Sequence, residues 1–140
     1  MQKLEELGFE FAGRYVVANE KIGFDYGDMA TNKKNIIYVK VNENDNILYV
    51  GKTSSSFKGR NSNHLRWLND RTKASKEGIN SLARREAERS AIFTGIVNVF
   101  VRAAPLTPCP LTGELTEDLD RFEKALQKQL SPLWNVSKKN

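Results

Sequence analysis

With one cysteine and one histidine among 140 residues, the chain has little room for thiol or imidazole chemistry. The single Cys109, held between Pro108 and Pro110, excludes an internal disulfide and offers no set of thiolates for zinc. It reads as a loop thiol without a role. No apolar run approaches the roughly 20 residues of a membrane-spanning helix, so a membrane partner is excluded from the reading. The start, Met1-Gln-Lys-Leu-Glu-Glu-Leu, is amphipathic rather than charged and then apolar, so the cytoplasm is the expected location. There is no internal repeat and no low-complexity linker. Gly51-Lys52-Thr53 lacks the earlier glycine and the spacing of a phosphate-binding P-loop.

What is present is an ordinary soluble composition, 39% hydrophobic and 28% charged, in a chain long enough for one domain, residues 1–140. Lysine and arginine (22) exceed aspartate and glutamate (17), for a net charge of +5. The distribution matters more than the total. From Lys52 to Lys73 there are six basic residues and one acid, Asp70, whereas Glu114, Glu117, Asp118, Asp120 and Glu123 gather near the C-terminal end. One pole is therefore cationic, as contact with nucleic-acid phosphates requires.

Two strand signals stand together. Ile36 to Val41 is rich in β-branched residues, Ile47 to Val50 is a second apolar run, and Asn42-Glu-Asn-Asp-Asn46 between them tolerates a turn. Alternation sets Ile37, Val39 and Val41 on one face of an antiparallel hairpin, with Ile36, Tyr38 and Lys40 on the other. Gly95 to Arg102 predicts a third strand. A helix is expected from about Phe57, capped within Thr53-Ser-Ser-Ser, and a second from Ser81 to Arg89 with Arg84, Arg85 and Arg89 exposed. The loop Ala103 to Glu114 leads to a last helix with Thr116 as cap, ended by Pro132. Residues 1–34 read as an N-terminal arm, extended from Phe9 with a break at Gly13 and irregular over 19–34. Residues 68–90 read as a basic helical insertion. The fold class is α+β, a small, mostly antiparallel three-stranded sheet flanked by helices.

Tyr38 and Tyr49, eleven residues apart in the hairpin, are followed at once by Arg60 and His64, one turn apart on the first helix. This order offers phenol, guanidinium and imidazole to one phosphate and points to a nuclease. Each has a structural reading too: strand tyrosines pack, and a lone histidine is most often a surface or core residue. Lys58 is a rival for the arginine position. Glu123 lies on or beside the apolar stripe of Leu119, Phe122, Leu126 and Leu130, where a carboxylate needs a metal or a basic partner. Arg66, Arg71, Lys73, Lys76, Arg84 and Arg85, with Lys52, are candidate substrate contacts. A solvated helix, balanced by Asp70, Glu77, Glu86 and Glu88, is their alternative.

Together these residues resemble the GIY-YIG nuclease family over roughly residues 35–137. Ile36-Ile37-Tyr38 stands at the first motif and Tyr49-Val50-Gly51 at the second. Arg60, His64 and Glu123 match the later motif positions, and Asn135 in Pro-Leu-Trp-Asn matches the closing asparagine. Ile36 and Val50 replace the family's glycine and isoleucine. Length, insertion and ending are most similar to the phage-type and compact restriction-type members. The resemblance implies a metal-dependent DNA endonuclease with one Mg2+ (or Mn2+) per active site, leaving 5′-phosphate and 3′-hydroxyl ends. It implies Glu123 as the metal ligand, Arg60 on a phosphate oxygen, and Tyr38 as base for the attacking water. Tyr49 and His64 would orient water and phosphate, and Asn135 would brace the metal or Glu123. Double-stranded DNA is the implied partner, and a homo-oligomer, dimer or tetramer, the implied assembly. The alternatives are a non-catalytic DNA-binding module on a degenerate nuclease fold, or a nuclease for RNA or branched DNA.

Overall fold

The computed structural model describes residues 2–27, 34–70 and 79–134. Helix α1 (Gln2–Glu6) leads into a hairpin of β1 (Glu10–Ala18) and β2 (Lys21–Tyr26). Asn19 and Glu20, with φ of 53° and 63°, form the tight turn, whose left-handed backbone matches the twist of the strands it joins. A second hairpin pairs β3 (Ile36–Asn42) with β4 (Ile47–Thr53). Its asparagine-rich turn is tied by Asn42, whose Oδ1 accepts from the N–H groups of Asn44 at 2.9 Å and Asn46 at 3.0 Å. Helices α2 (Phe57–Asn69) and α3 (Ile79–Thr94) follow, then β5 (Val97–Ala103). A short hairpin of β6 (Leu106–Pro108) and β7 (Leu115–Glu117) precedes α4 (Leu119–Leu130).

Strand β5 enters between the two hairpins, giving one antiparallel sheet in the order β2-β1-β5-β3-β4. The class is α+β as expected, but the sheet has five strands where three were read. The 19–34 segment read as irregular contains β2, because the Asn19-Glu20 turn lacks the glycine that usually announces so tight a hairpin. The Ala103 to Glu114 loop likewise contains β6. Thr116 belongs to β7, and the cap of α4 is Asp118, whose Oδ1 accepts from the Arg121 N–H at 3.2 Å. The break at Gly13 is a bulge against β5, where a Cβ would lie 2.4 Å from both the Asp25 carbonyl oxygen and the Phe24 ring.

The alternation along β3 divides two cores. Ile36 and Tyr38 join Tyr15, Phe57 and Leu68 of α2 and Ile92 of α3; Ile37, Val39 and Val41 join Leu4 of α1, Phe100 and Leu126 of α4. Helices thus cover both faces, and each large apolar side chain buried contributes about 1.5–3 kcal/mol. Both outer edges are also covered. The Asn69 side chain bonds the N–H (3.0 Å) and the C=O (2.9 Å) of Ile22 on β2. Beyond α4, Leu133 and Trp134 donate to the Ile47 and Leu48 carbonyls of β4 at 3.1 and 2.6 Å. Among the described residues no helix is long and apolar enough to cross a membrane.

Candidate active site

Antiparallel register sets Tyr38 opposite Gly51 and Lys40 opposite Tyr49, so these four residues share the sheet face below α2 and α3. The two tyrosine rings lie 6.0 Å apart and close over Gly51. A Cβ there would stand 2.5 Å from the Tyr38 Cζ and 2.7 Å from the Tyr49 Cε2, so only glycine lets both rings in. Ser56 starts α2 by accepting from the Gly59 N–H at 3.1 Å, which sets Arg60 in the first turn. The Arg60 guanidinium acts on the Tyr38 phenol by its charge and by hydrogen bonding. Lys58, its rival in the sequence, instead places its Nζ 5.6 Å from the centre of the Tyr26 ring.

Tyr38 is 4% exposed, and burial, joined by repulsion from Tyr49, pushes its phenol up to about 12. The Arg60 charge and hydrogen bond pull the other way without reversing it. Lys52 turns away from the tyrosines to Asp120, with Glu123 Oε1 at 3.7 Å.

His64 does not face out with Arg60. It turns into a buried ionic cluster built on Lys40 (1% exposed) and Glu88 (0% exposed). Glu88 Oε1 accepts from Lys40 Nζ at 2.8 Å and lies 2.9 Å from His64 Nε2, while Lys40 Nζ is 2.7 Å from the same nitrogen. One Nε2 position can carry a proton for Glu88 or a lone pair for Lys40, never both. Burial, reinforced by the Lys40 charge, lowers His64 to about 4, so it is neutral at physiological pH. Burial alone would raise Glu88, but Lys40, His64 and Arg84 hold it well below the usual carboxylate range.

The exposure expected of the α3 arginines is corrected by the same packing. Arg84 donates from Nε to Glu88 Oε2 at 2.8 Å, and its guanidinium carbon lies 3.9 Å from the Tyr49 ring centre. Arg85 is 4% exposed and donates to the Trp67 carbonyl at 2.8 Å, and Arg89 donates to Leu68 at 2.7 Å. The last carbonyls of a helix lack partners within it, and these two arginines supply them to α2. Arg66 is exposed and bonded to Asn63. Arg71, Lys73, Lys76 and Asn135 lie outside the described residues.

Lys40 and Glu88 were not picked out in sequence as site residues. The available signal was Lys40 itself, a lone charge in the middle of Ile36-Ile-Tyr-Val-Lys-Val, a strand that helices cover on both faces. Glu123, on α4, is half-buried, and burial raises its carboxyl against the pull of Lys52. Among the described residues no group of three or more His, Cys, Asp or Glu side chains gathers as a metal cage.

A family model described as the GIY-YIG catalytic domain matches residues 34–140, most of the chain. The chain belongs to the GIY-YIG family. It is an endonuclease of that family, and its fold is that of family structures. A mutant of bacteriophage T4 EndoII superposes with a TM-score of 0.70 at 18% identity, over 96% of this chain and 97% of that one. The restriction endonuclease HPY188I in complex with product DNA superposes with a TM-score of 0.57 at 15% identity, over 91% and 77%. No curated protein matches the chain in sequence. The two departures from the GIY-YIG motifs fall in the cores: Ile36 is buried on the tyrosine side and Val50 on the other. Val50 exchanges one branched apolar side chain for another, Ile36 adds a buried side chain where the motif has none, and neither carries a reactive group.

Proposed function

We propose that the protein is a DNA endonuclease that hydrolyses phosphodiester bonds with one divalent cation, Mg2+ or Mn2+, leaving 5′-phosphate and 3′-hydroxyl ends. The observation that carries this reading is the Tyr38–Tyr49 ring pair closed over Gly51, with the Arg60 guanidinium acting on the Tyr38 phenol. A guanidinium beside two phenols is a cationic, hydrogen-bonding seat for one phosphate, and Arg60 neutralises charge building on a non-bridging oxygen.

Keeping Tyr38 as phenolate at pH 7 would cost about 7 kcal/mol for a group titrating near 12. Tyr38 therefore acts as a protonated phenol that orients Arg60 and the phosphate. Tyr49, the more exposed of the pair, is assigned the attacking water. His64, neutral and tied inward, braces the floor of the site rather than meeting phosphate as a cation.

Glu123 is the assigned metal ligand. Mg2+ takes one or two protein carboxylates and keeps several waters, so a half-buried Glu123 with Asp120 one turn before it is a donor set that fits. When bound, the cation supplies charge stabilisation at the scissile phosphate and the leaving oxygen. Asn135 is assigned as a brace for Glu123 or the metal, following a chain that already pairs with β4 at Trp134. Arg66, Arg71, Lys73 and Lys76 are assigned to the DNA backbone, with Lys52 at the metal side. One site cuts one strand, so cutting both strands calls for a homo-oligomer, a dimer or a tetramer.

The test is incubation with supercoiled plasmid and Mg2+, then with RNA and with branched DNA. Nicking by the native chain and its loss in Glu123→Gln, with DNA binding kept, supports the reading. Retained cutting by Glu123→Gln removes Glu123 from the chemistry. Binding without cleavage of any substrate identifies a non-catalytic module, and cleavage of RNA alone replaces the DNA assignment.

A further inference from the structure

We propose that Arg84 is a positioning residue for the reaction, holding the Tyr49 ring in place while the buried Glu88 holds Arg84. The inference rests on the endonuclease reading of the tyrosine pair. Tyr49 is on β4, the outermost strand of the sheet, and is only partly buried, so packing from the sheet alone leaves its ring free on one side. Tyr38 flanks it at 6.0 Å and Gly51 lies beneath. Arg84 supplies the missing side, its guanidinium carbon 3.9 Å from the ring centre and 5.4 Å from that of Trp67.

The anchoring explains why α3 turns charge inward. Among its described side chains the buried ones are Arg85, Glu88 and Ile92, two of them ionic. A buried ion pair is a poor source of stability, since desolvation offsets most of the attraction. Here the carboxylate orients three side chains, two of which, Arg84 and Lys40, face the Tyr49 ring. Arg84 is bonded through Nε, Lys40 Nζ sits 5.5 Å from the Tyr49 ring, and His64 stacks at 4.9 Å on the Trp67 that lies beside Arg84. The bond to Glu88 fixes the plane of the guanidinium, and the plane fixes the ring. A lysine at the same position would keep the charge and lose both the flat face and the Nε bond.

The test is plasmid nicking over a range of DNA concentrations up to saturation with Arg84→Ala, Arg84→Lys, Glu88→Gln, Tyr49→Phe and the Arg84→Ala/Tyr49→Phe pair, each checked for folding by circular dichroism. The expected result is a fall in kcat of about tenfold or more for Arg84→Ala with KM little changed, no rescue by lysine, and a similar fall for Glu88→Gln. Once Tyr49 is Phe, Arg84→Ala costs nothing further, because a residue that acts through the Tyr49 hydroxyl has nothing left to position. Multiplying losses, or a rise in KM alone, overturn the proposal, the second making Arg84 a plain DNA contact. A ring-labelled tyrosine spectrum gives a readout without cleavage. Arg84→Ala must shift the Tyr49 signals, and unchanged signals overturn the proposal. If the native chain cuts no DNA, the function reading fails, while this spectrum still decides whether Arg84 holds Tyr49.

Discussion

At the scale of single residues, Gly51 and Glu88 show opposite ways of building one site. Gly51 contributes by having no side chain. Its hydrogen faces two aromatic rings at distances that no methyl group survives, so Gly51→Ala must push the tyrosines apart. The expected cost is about 1–3 kcal/mol of stability, seen in chemical denaturation, with nicking reduced far more than stability. A fully active alanine variant would show that the rings need not close. Glu88 contributes by a charge that cannot reach water. Glu88→Gln leaves Lys40 buried with one fewer counter-charge and should cost about 3–5 kcal/mol, measured the same way at pH 7. The single histidine makes the cluster easy to follow by NMR. His64 has an ordinary value of 6.5 and is lowered to about 4 in the folded protein, so between those values the unfolded chain binds a proton that the native one refuses. Stability is therefore full above about pH 6.5 and declines as the pH falls toward 4. A His64 midpoint near its ordinary value would disprove the buried cluster.

At the scale of elements, α2 carries the site because both of its ends are tied. Its start is capped by Ser56 and its last carbonyls by Arg85 and Arg89 of α3, so the helix that offers Arg60 and His64 is held from two directions. Asn69 ties the same helix to the β2 edge through two backbone bonds at Ile22. Asn61 adds a buried link, accepting from the Tyr15 hydroxyl at 2.7 Å and donating to that of Tyr26 at 3.2 Å. Replacing Asn69 with alanine leaves both backbone groups of Ile22 without that partner, at a cost of about 1–3 kcal/mol. Hydrogen exchange at Ile22 is the direct check. Faster exchange there, with the β3–β4 hairpin unchanged, is expected. Equal protection would mean that the edge needs no cover from α2.

At the scale of the whole molecule, the net charge of +5 divides into inward and outward shares. Lys40 and Arg85 are buried, Arg84 is anchored on Glu88, and Arg89 caps a helix, so they hold the fold together. Arg66 remains at the surface on α2 as a candidate for DNA phosphate. Arg66→Ala should weaken DNA binding and reduce the slope of log affinity against log salt by about 0.9. An unchanged slope would leave Arg66 as a solvated helix residue. Arg85→Ala should act differently, lowering stability without altering that slope.

The hairpin, its two-faced alternation, the order of Tyr38, Tyr49, Gly51 and Arg60, and the placing of Glu123 on the α4 stripe were all legible in the sequence. Each rests on periodicities of two or 3.6 among residues that are neighbours in the chain, and neighbours need no tertiary information to find one another. The β1–β2 hairpin was less legible, because its turn uses Asn19 and Glu20 rather than a glycine signal. The chemical state of the site was not legible at all. Lys40 and Glu88 are 48 residues apart, and whether a charge is paired, stripped of water or turned toward solvent depends on what packs across the sheet. That packing lifts Tyr38 toward 12, drops His64 toward 4 and draws Arg84 onto Tyr49. Local pattern named the groups, and desolvation between distant segments assigned their protons.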